Sequence, residues 1–261
     1  MISLLPKQIT PEQIGLIHLI SPTADATDSD IPAPSVYDDI ARLFHRKYTA
    51  FMGTVHEQLV SKQNRKADFI PVPLTFRHKG YSTLMIKKEK AARNISLLEA
   101  ELQNKGDDPY LLFQLGQSYF GLSDYEHALP FFEKALSMEV NEQETYVQTL
   151  VESYGYCLLY LKQYPQALAL EGVYAAFSHH ADFVFLMGLI YMNNSMFDSA
   201  VSEFMKATNI PHYSVEGVNG CKAYYNIGVI YECLGRKADA VKYYSLCGDY
   251  PPALKRLSVL K

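Results

Sequence analysis

The chain has 261 residues, 48% of them hydrophobic and 20% charged, which suffices for a substantial core without staples and is ordinary for a globular domain. A formal net charge of -4 argues against nucleic acid as a partner, because neutralising phosphates needs clustered Lys and Arg. No apolar run approaches the roughly 20 residues of a membrane span. Residues 1–20 lack the basic start and long apolar centre of an export signal, so a cytoplasmic protein is expected. The four cysteines, Cys157, Cys221, Cys233 and Cys247, form no CxxC pair and read as buried thiols in a reducing compartment, with metal or disulfide chemistry the weaker alternative. Twenty Tyr and no Trp is an unusual aromatic balance.

In chain order, a short helix is expected after Pro11 and a buried strand over Leu16 to Ile20. Pro22 to Ser35, rich in Asp, Ala, Thr and Pro, reads as a surface loop. Asp39 to Phe44 and Tyr48 to Val55 alternate apolar with polar residues around the basic turn His45 to Lys47, which predicts two strands paired with each other. Phe69 to Leu74 alternates around Pro71 and Pro73, which confines it to an edge strand or an extended segment. Tyr81 to Gly106 reads as a connecting helix with Leu84, Ile95, Leu98 and Leu102 as its apolar positions. Asp108 is placed to cap the next helix and Pro109 to open it.

From Asp108 onward the chain repeats itself. Gly116 and Ala128 are twelve positions apart, and the same interval separates Gly155 from Ala167, Gly188 from Ala200 and Gly228 from Ala240. Tyr119, Tyr191 and Tyr231 stand three residues after their Gly, and Phe132, Phe204 and Tyr244 four residues after their Ala. The second unit has Leu158 and Glu171 at those places and is therefore the degenerate one. Small residues at a fixed interval let two helices cross closely. With DPYLLFQLGQSYFGLSDYEHALPFFEKALSMEV as its clearest copy, the pattern resembles the tetratricopeptide repeat, a helix pair of about 34 residues. Successive Gly positions lie 39, 33 and 40 residues apart, so extra residues are expected around 141–147 and 212–221. Cys247 takes the small-residue place that Ala135 and Ala207 hold in their units, and a helix over Ala253 to Leu260, behind Pro251 and Pro252, is expected to cover the last apolar face.

Two stretches near the start contain chemistry-bearing residues: ARLFHRKYTAFMGTVHEQL from Ala41 to Leu59 and LTFRHKGY from Leu74 to Tyr81. On a strand the adjacent His56 and Glu57 point to opposite faces, and on chemistry alone they read as a hydrogen-bonded structural pair rather than a catalytic or metal site. HExxH, the nucleophile elbow and the P-loop are absent from the sequence, and no DxD-type pair of carboxylates stands at an expected strand end to hold a metal with a diphosphate.

In their order, Arg42, Leu43, Phe44, then Gly53, His56, Glu57 and Gln58, then His78, Gly80 and Tyr81, and the Lys-rich helix with Arg93, Asn94, Leu97, Leu98 and Glu99 resemble the bacterial family 2 glycosyltransferases that carry tetratricopeptide repeats behind the catalytic domain. The resemblance implies that residues 1–80 are the C-terminal remnant of a GT-A domain of α/β type. Residues 81–106 would then be the connecting helix and residues 107–261 a mainly α solenoid of four helix pairs plus a capping helix. It further implies catalytic roles for Glu57 and His56, a metal ligand in His78, and substrate contacts from Arg42 and Tyr81. In the full-length family enzyme a divalent metal, Mn or Mg, and a nucleotide sugar would be bound. This chain starts inside such a domain, without the nucleotide-sugar half, so neither cofactor is expected on it alone and a separate N-terminal half is a conceivable partner.

Two readings stand side by side. One is the C-terminal portion of a glycosyltransferase whose repeats present a peptide or protein acceptor; the other is a non-enzymatic repeat scaffold for protein interaction. Both place a partner on the first helices of the repeats, where Tyr110, Gln114, Gln117, Asn193, Tyr225 and Asn226 are polar or aromatic, and neither has the basic clamp that would hold a C-terminal carboxylate. The purified chain is expected to show no metal-dependent hydrolysis of a UDP or GDP sugar, since the departing diphosphate lacks an electrostatic clamp; turnover above a metal-free blank refutes this.

Overall fold

The computed structural model describes residues 10–22, 35–52, 58–63, 65–77 and 84–260. The chain divides into two units, Met1–Asn104 and Lys105–Lys261.

In the first unit, β1 (Gln13–Pro22) is the middle strand of a three-stranded sheet, antiparallel to β2 (Ser35–Leu43) and parallel to β5 (Asp68–Arg77). The expected helix after Pro11 is absent. Pro11 and Glu12 form a turn closed by Gln13 N–H donating to the Thr10 carbonyl (3.1 Å), and β1 starts at once. The strand over Leu16 to Ile20 is present within β1, but the buried side chains are Ile14 and Ile17. The two alternating segments around His45 are strands, yet they do not pair with each other. The turn after His45 carries the chain away, so β2 pairs with β1, and β3 (Thr49–Met52) pairs with β4 (Gln58–Ser61) in a separate two-stranded sheet. β5 is an edge strand, and its register against β1 slips between Leu16 and His18, opposite the stretch that holds Pro71 and Pro73. Prolines have no N–H for the ladder, which is why an edge tolerates them. The unit closes with α1 (Leu84–Lys105), whose Leu98 is fully buried. The segment 23–34, the first residues of the expected connecting helix (81–83), and Gly53 and Gly80 lie outside the described residues.

The second unit is a row of helix pairs: α2 (Pro109–Phe120) with α3 (Tyr125–Leu136), α7 (Ala181–Asn193) with α8 (Phe197–Ala207), and α9 (Cys221–Cys233) with α10 (Lys237–Ser245). Asp108 caps α2 as expected, accepting from Leu111 N–H at 2.9 Å, with Pro109 in the first turn. The second pair is irregular. Behind the long α4 (Thr145–Tyr160) come a single turn α5 (Tyr164–Ala167), a 3-10 stretch at Leu168–Val173 and another single turn α6 (Tyr174–Phe177). α11 (Pro251–Leu260) packs on α10 and buries Ala253 and Leu257, with both prolines inside its first turn rather than ahead of it.

The repeating glycines explain the pairing, in a more specific way than small residues meeting small residues. A Cβ on Gly116 would lie 2.3 Å from the Phe132 ring, one on Gly188 2.6 Å from the Phe204 ring, and one on Gly228 2.6 Å from the Tyr244 ring. Each glycine is thus the seat of the aromatic side chain four residues after the partner Ala, and all three rings are fully buried. At Gly155, where the repeat has Glu171 in the ring position, Leu186 and Leu170 fill the seat instead, at 2.7 and 3.1 Å.

The turns repeat as well. Ser123, Lys162, Ser195 and Gly235, each seven residues after its glycine, adopt φ of 59°, 59°, 61° and 73°. The next N–H returns to the carbonyl of Tyr119, Leu158, Tyr191 or Tyr231 at 2.8 to 3.0 Å, the six-to-one bond of a Schellman stop. One backbone device therefore reverses the chain in every repeat, whatever its side chain.

Replacing Gly188 by Ala should destabilise the solenoid by about 1–3 kcal/mol, although Ala favours a helix by about 1 kcal/mol over Gly, because the Phe204 ring has nowhere to go. Gly172→Ala, where a Cβ meets nothing within 4 Å, should be neutral or mildly stabilising. Urea unfolding midpoints of the two variants check this, and equal midpoints would contradict it.

Candidate functional site

The first helices of the four repeats, α2, α4, α7 and α9, are nearly without charge. α2 has no charged residue, α4 has Glu152, α7 has Asp182, and α9 has Lys222 and Glu232. α4 packs against α2 on one side and α7 on the other, so these three helices run as neighbours.

At the first seam Tyr110 meets Tyr146 edge-on with centroids 5.1 Å apart, and Phe113 lies 5.4 Å from the same ring. Gln117 donates from Nε2 to Ser153 Oγ at 2.6 Å, while Gln114 is buried among the helices. At the far end Tyr225 sits between Tyr244 and Tyr250, 5.6 Å from each, and Asn226 donates to the Lys222 carbonyl at 3.0 Å. Asn193 is exposed and donates to the Leu189 carbonyl at 2.8 Å. The sequence-derived contacts thus fall into two groups, one on the α2/α4 seam and one on the last repeat, with Asn193 in neither. Gln114 is only 6% exposed, so little of it is open to a partner.

Arg42 occupies the β2 bulge. The register passes from Gly15 opposite Leu43 to Leu16 opposite Ala41, and Arg42 folds back to donate to the Ala41 carbonyl at 2.8 Å. His56, Glu57, His78 and Tyr81 lie outside the described residues. Among the described residues no group of three or more His, Cys, Asp or Glu is placed to hold a metal ion. All four cysteines are free; Cys157 and Cys247 are buried and their thiols pushed up to about 12 by that burial, but Cys233 is exposed, contrary to the expectation of buried thiols throughout. No helix among the described residues is long and apolar enough to cross a membrane.

What the sequence reading passed over lies at the α4/α7 seam. Asp182, in the first turn of α7 and only 4% exposed in its side chain, accepts from the N–H groups of Ser214 (2.7 Å) and Val215 (2.8 Å). His180 Nδ1 lies 3.1 Å from Asp182 and 3.8 Å from Glu152, whose side chain is 15% exposed and takes a 3.0 Å bond from Gln148 Nε2. Burial and the neighbouring Asp182 carboxylate push the Glu152 carboxyl up to about 7. Burial opposes a charge on His180, but Asp182 and Glu152 outweigh it and hold the imidazole above its ordinary value. Burial also keeps the nearby Tyr156 hydroxyl protonated. The signal was available: Glu152 and Asp182 are the lone charges of two otherwise uncharged helices, and a lone carboxylate in an apolar helix needs a partner.

Both shifts are upward, so the folded state holds more protons than the unfolded one. The stabilisation from Glu152 is fully present below about pH 4.5 and is lost as the pH rises through about 7. Glu152→Gln, which keeps a polar side chain for Gln148 but cannot ionise, should match the wild type at pH 4 and exceed it by about 3 kcal/mol at pH 8. Chemical denaturation at the two pH values reads the difference, and a pH-independent gap would count against it.

Against known proteins, a family model described as Tetratricopeptide repeat matches residues 109–139, 181–211 and 222–252. It passes over the second repeat, whose second helix is broken. No curated protein matches the chain. Among solved structures, YrrB, described as a TPR protein with an unusual peptide-binding site, is 24% identical, covers 66% of this chain and 86% of its own, and has a TM-score of 0.53. MamA from Desulfovibrio magneticus RS-1 is 21% identical over 67% of this chain and 94% of its own, with a TM-score of 0.51. Cut9 with Hcn1, an APC/C hetero-tetramer, is 13% identical over 66% of this chain and 33% of its own, at 0.51. These likenesses speak to the fold, and the resemblance to glycosyltransferases gains no support from them. The segment Lys105–Lys261, with its glycine-seated rings and recurrent left-handed stops, is a tetratricopeptide-repeat α-solenoid.

Proposed function

We propose that this chain is a non-enzymatic interaction scaffold whose first-helix face receives a peptide or protein partner. The observation that carries the reading is the makeup of that face: aromatic rings and amides on helices with almost no charge. Tyr and amide side chains offer contact area and hydrogen bonds to a peptide backbone at low conformational cost, whereas an uncharged stripe has little to hold a strongly acidic or basic tail. YrrB, which shares the fold, is described as having an unusual peptide-binding site, which supports a peptide or protein as the partner class here. Four free cysteines suit a reducing, cytoplasmic setting.

A second reading keeps residues 1–80 as a GT-A remnant and the chain as the C-terminal portion of a family 2 glycosyltransferase. Its support is the mixed sheet, with parallel β1 and β5, that precedes the solenoid in the sequence. Its catalytic and metal residues would be Glu57, His56 and His78, with Arg42 and Tyr81 toward the substrate. The scaffold reading has the broader support, because it rests on the matched repeats.

Selection of a displayed peptide library on the full chain tests the scaffold reading. Peptides that emerge should bind about ten-fold more weakly to Gln117→Ala and Asn226→Ala, a loss of about 1.4 kcal/mol, and unchanged to Lys134→Ala on a second helix. Selected peptides that bind all three variants alike would place recognition elsewhere.

A further inference from the structure

Glu152, His180 and Asp182 join three separate pieces of the solenoid. Glu152 belongs to α4, His180 and Asp182 to the start of α7, and the amides that Asp182 accepts belong to the 209–220 loop between α8 and α9. That loop is where the longest inter-glycine interval places its extra residues. The His212 carbonyl accepts from Ala181 N–H at 2.9 Å, while Asn219 to Ile210 (3.0 Å) and Lys222 to Gly217 (2.9 Å) are bonds within the loop and to its exit. The two bonds to Asp182 hold the loop's middle.

We propose that Glu152, His180 and Asp182 form a proton-operated clasp, which holds the 209–220 loop on the α4/α7 seam while His180 is protonated and releases it when that proton is lost. The imidazolium lies between two carboxylates, 3.1 Å from one and 3.8 Å from the other, with all three side chains largely withdrawn from water. On the acid side of neutrality the Glu152 carboxyl is itself largely protonated, the imidazolium offsets the Asp182 charge, and Asp182 stays where the Ser214 and Val215 amides can reach it. A neutral imidazole supplies no charge, and as Glu152 ionises it faces Asp182 with no cation between them. Two like charges in a poorly hydrated seam repel strongly, and the loop is the piece free to move.

The elements packed around the cluster carry titratable groups of their own, several of them engaged elsewhere. On α4 the ionisable neighbour is Tyr156, which stays protonated. From α3, Glu133 faces Tyr154. From the 3-10 stretch, Glu171 bonds Tyr191, and from α8, Glu203 is held by Tyr174 and Lys206 at 2.5 Å each. The α2 side presents Gln117 and Ser153, which do not titrate in this range. The loop contributes the Ser214 and Val215 N–H groups and carries His212, Tyr213 and Glu216 beside them, of which Glu216 acts on Cys221. The clasp does not depend on what occupies the first-helix face.

Amide hydrogen exchange of the full chain, corrected for the intrinsic rate at each pH, tests the proposal at single residues. Protection of Ser214 and Val215 should fall about ten-fold or more between pH 6 and pH 8.5, while the Ile230 amide in α9 keeps its protection. In Glu152→Gln, which cannot ionise beside Asp182, the pH dependence at Ser214 and Val215 should flatten. Flat protection in the wild type, an equal loss at Ile230, or an undiminished pH dependence in the folded variant would each overturn the clasp. If the variant fails to fold, the wild-type comparison of the loop amides with Ile230 decides the matter.

Discussion

The solenoid depends on three places where an aromatic ring rests on a helix backbone. Gly116, Gly188 and Gly228 put no atom where a Cβ would come within 2.3 to 2.6 Å of the ring, so Phe132, Phe204 and Tyr244 lie flat against the partner helix and are lost to water completely. The arrangement is directional. A glycine on the first helix and an aromatic residue late on the second fix both the rotation and the height of each helix relative to its mate, which general apolar stickiness cannot do. The recurrent left-handed stop then sets how far apart the two helices begin, since its six-to-one hydrogen bond leaves little choice in the turn.

The second repeat lacks the ring and has a different interior as a result. With Glu171 in the ring position, the glycine seat at Gly155 is filled by leucines, Leu170 and, from the next repeat, Leu186, and the second helix divides into two single turns around a 3-10 stretch. The break brings Tyr174 to the next repeat, where its hydroxyl meets the buried Glu203 at 2.5 Å, and Asn194 bonds back to the Tyr164 carbonyl at 2.8 Å. Polar bonds thus take over between repeats part of what a ring does within the others. The same trade appears at the C-terminal end, where Glu232 accepts from Tyr244 (2.8 Å) and from Arg256 of α11. The hydroxyl of a core ring and the capping helix are tied to one carboxylate, whose pKa the Arg256 bonds hold below the ordinary range.

Charge is therefore placed sparingly in the solenoid. The first helices keep Glu152 and Asp182 at a single seam, beside His180, and leave most of their remaining surface to rings and amides. A surface of that kind suits a partner held by shape and hydrogen bonds. It also makes the ionic seam conspicuous, because a group that titrates there has little nearby charge to mask it.

Periodicity by itself determined the repeat architecture. The Gly-to-Ala interval, the tyrosines after each glycine, the cap at Asp108 and the degeneracy at Glu171 are local facts of sequence, and helices obey local rules of spacing and turn chemistry. Prolines at alternate positions likewise set β5 at an edge. Strand partners were not legible in this way: β2 and β3 are adjacent in sequence and alternate alike, but β2 joined β1 and β3 joined β4, since pairing is decided by which strands the intervening turns bring together. Nor could spacing reveal that Glu152, His180 and two amides of a distant loop would meet. Their proximity comes from stacking one repeat on the next, and only in that stacked state does burial give the carboxylate and imidazole their altered affinity for protons.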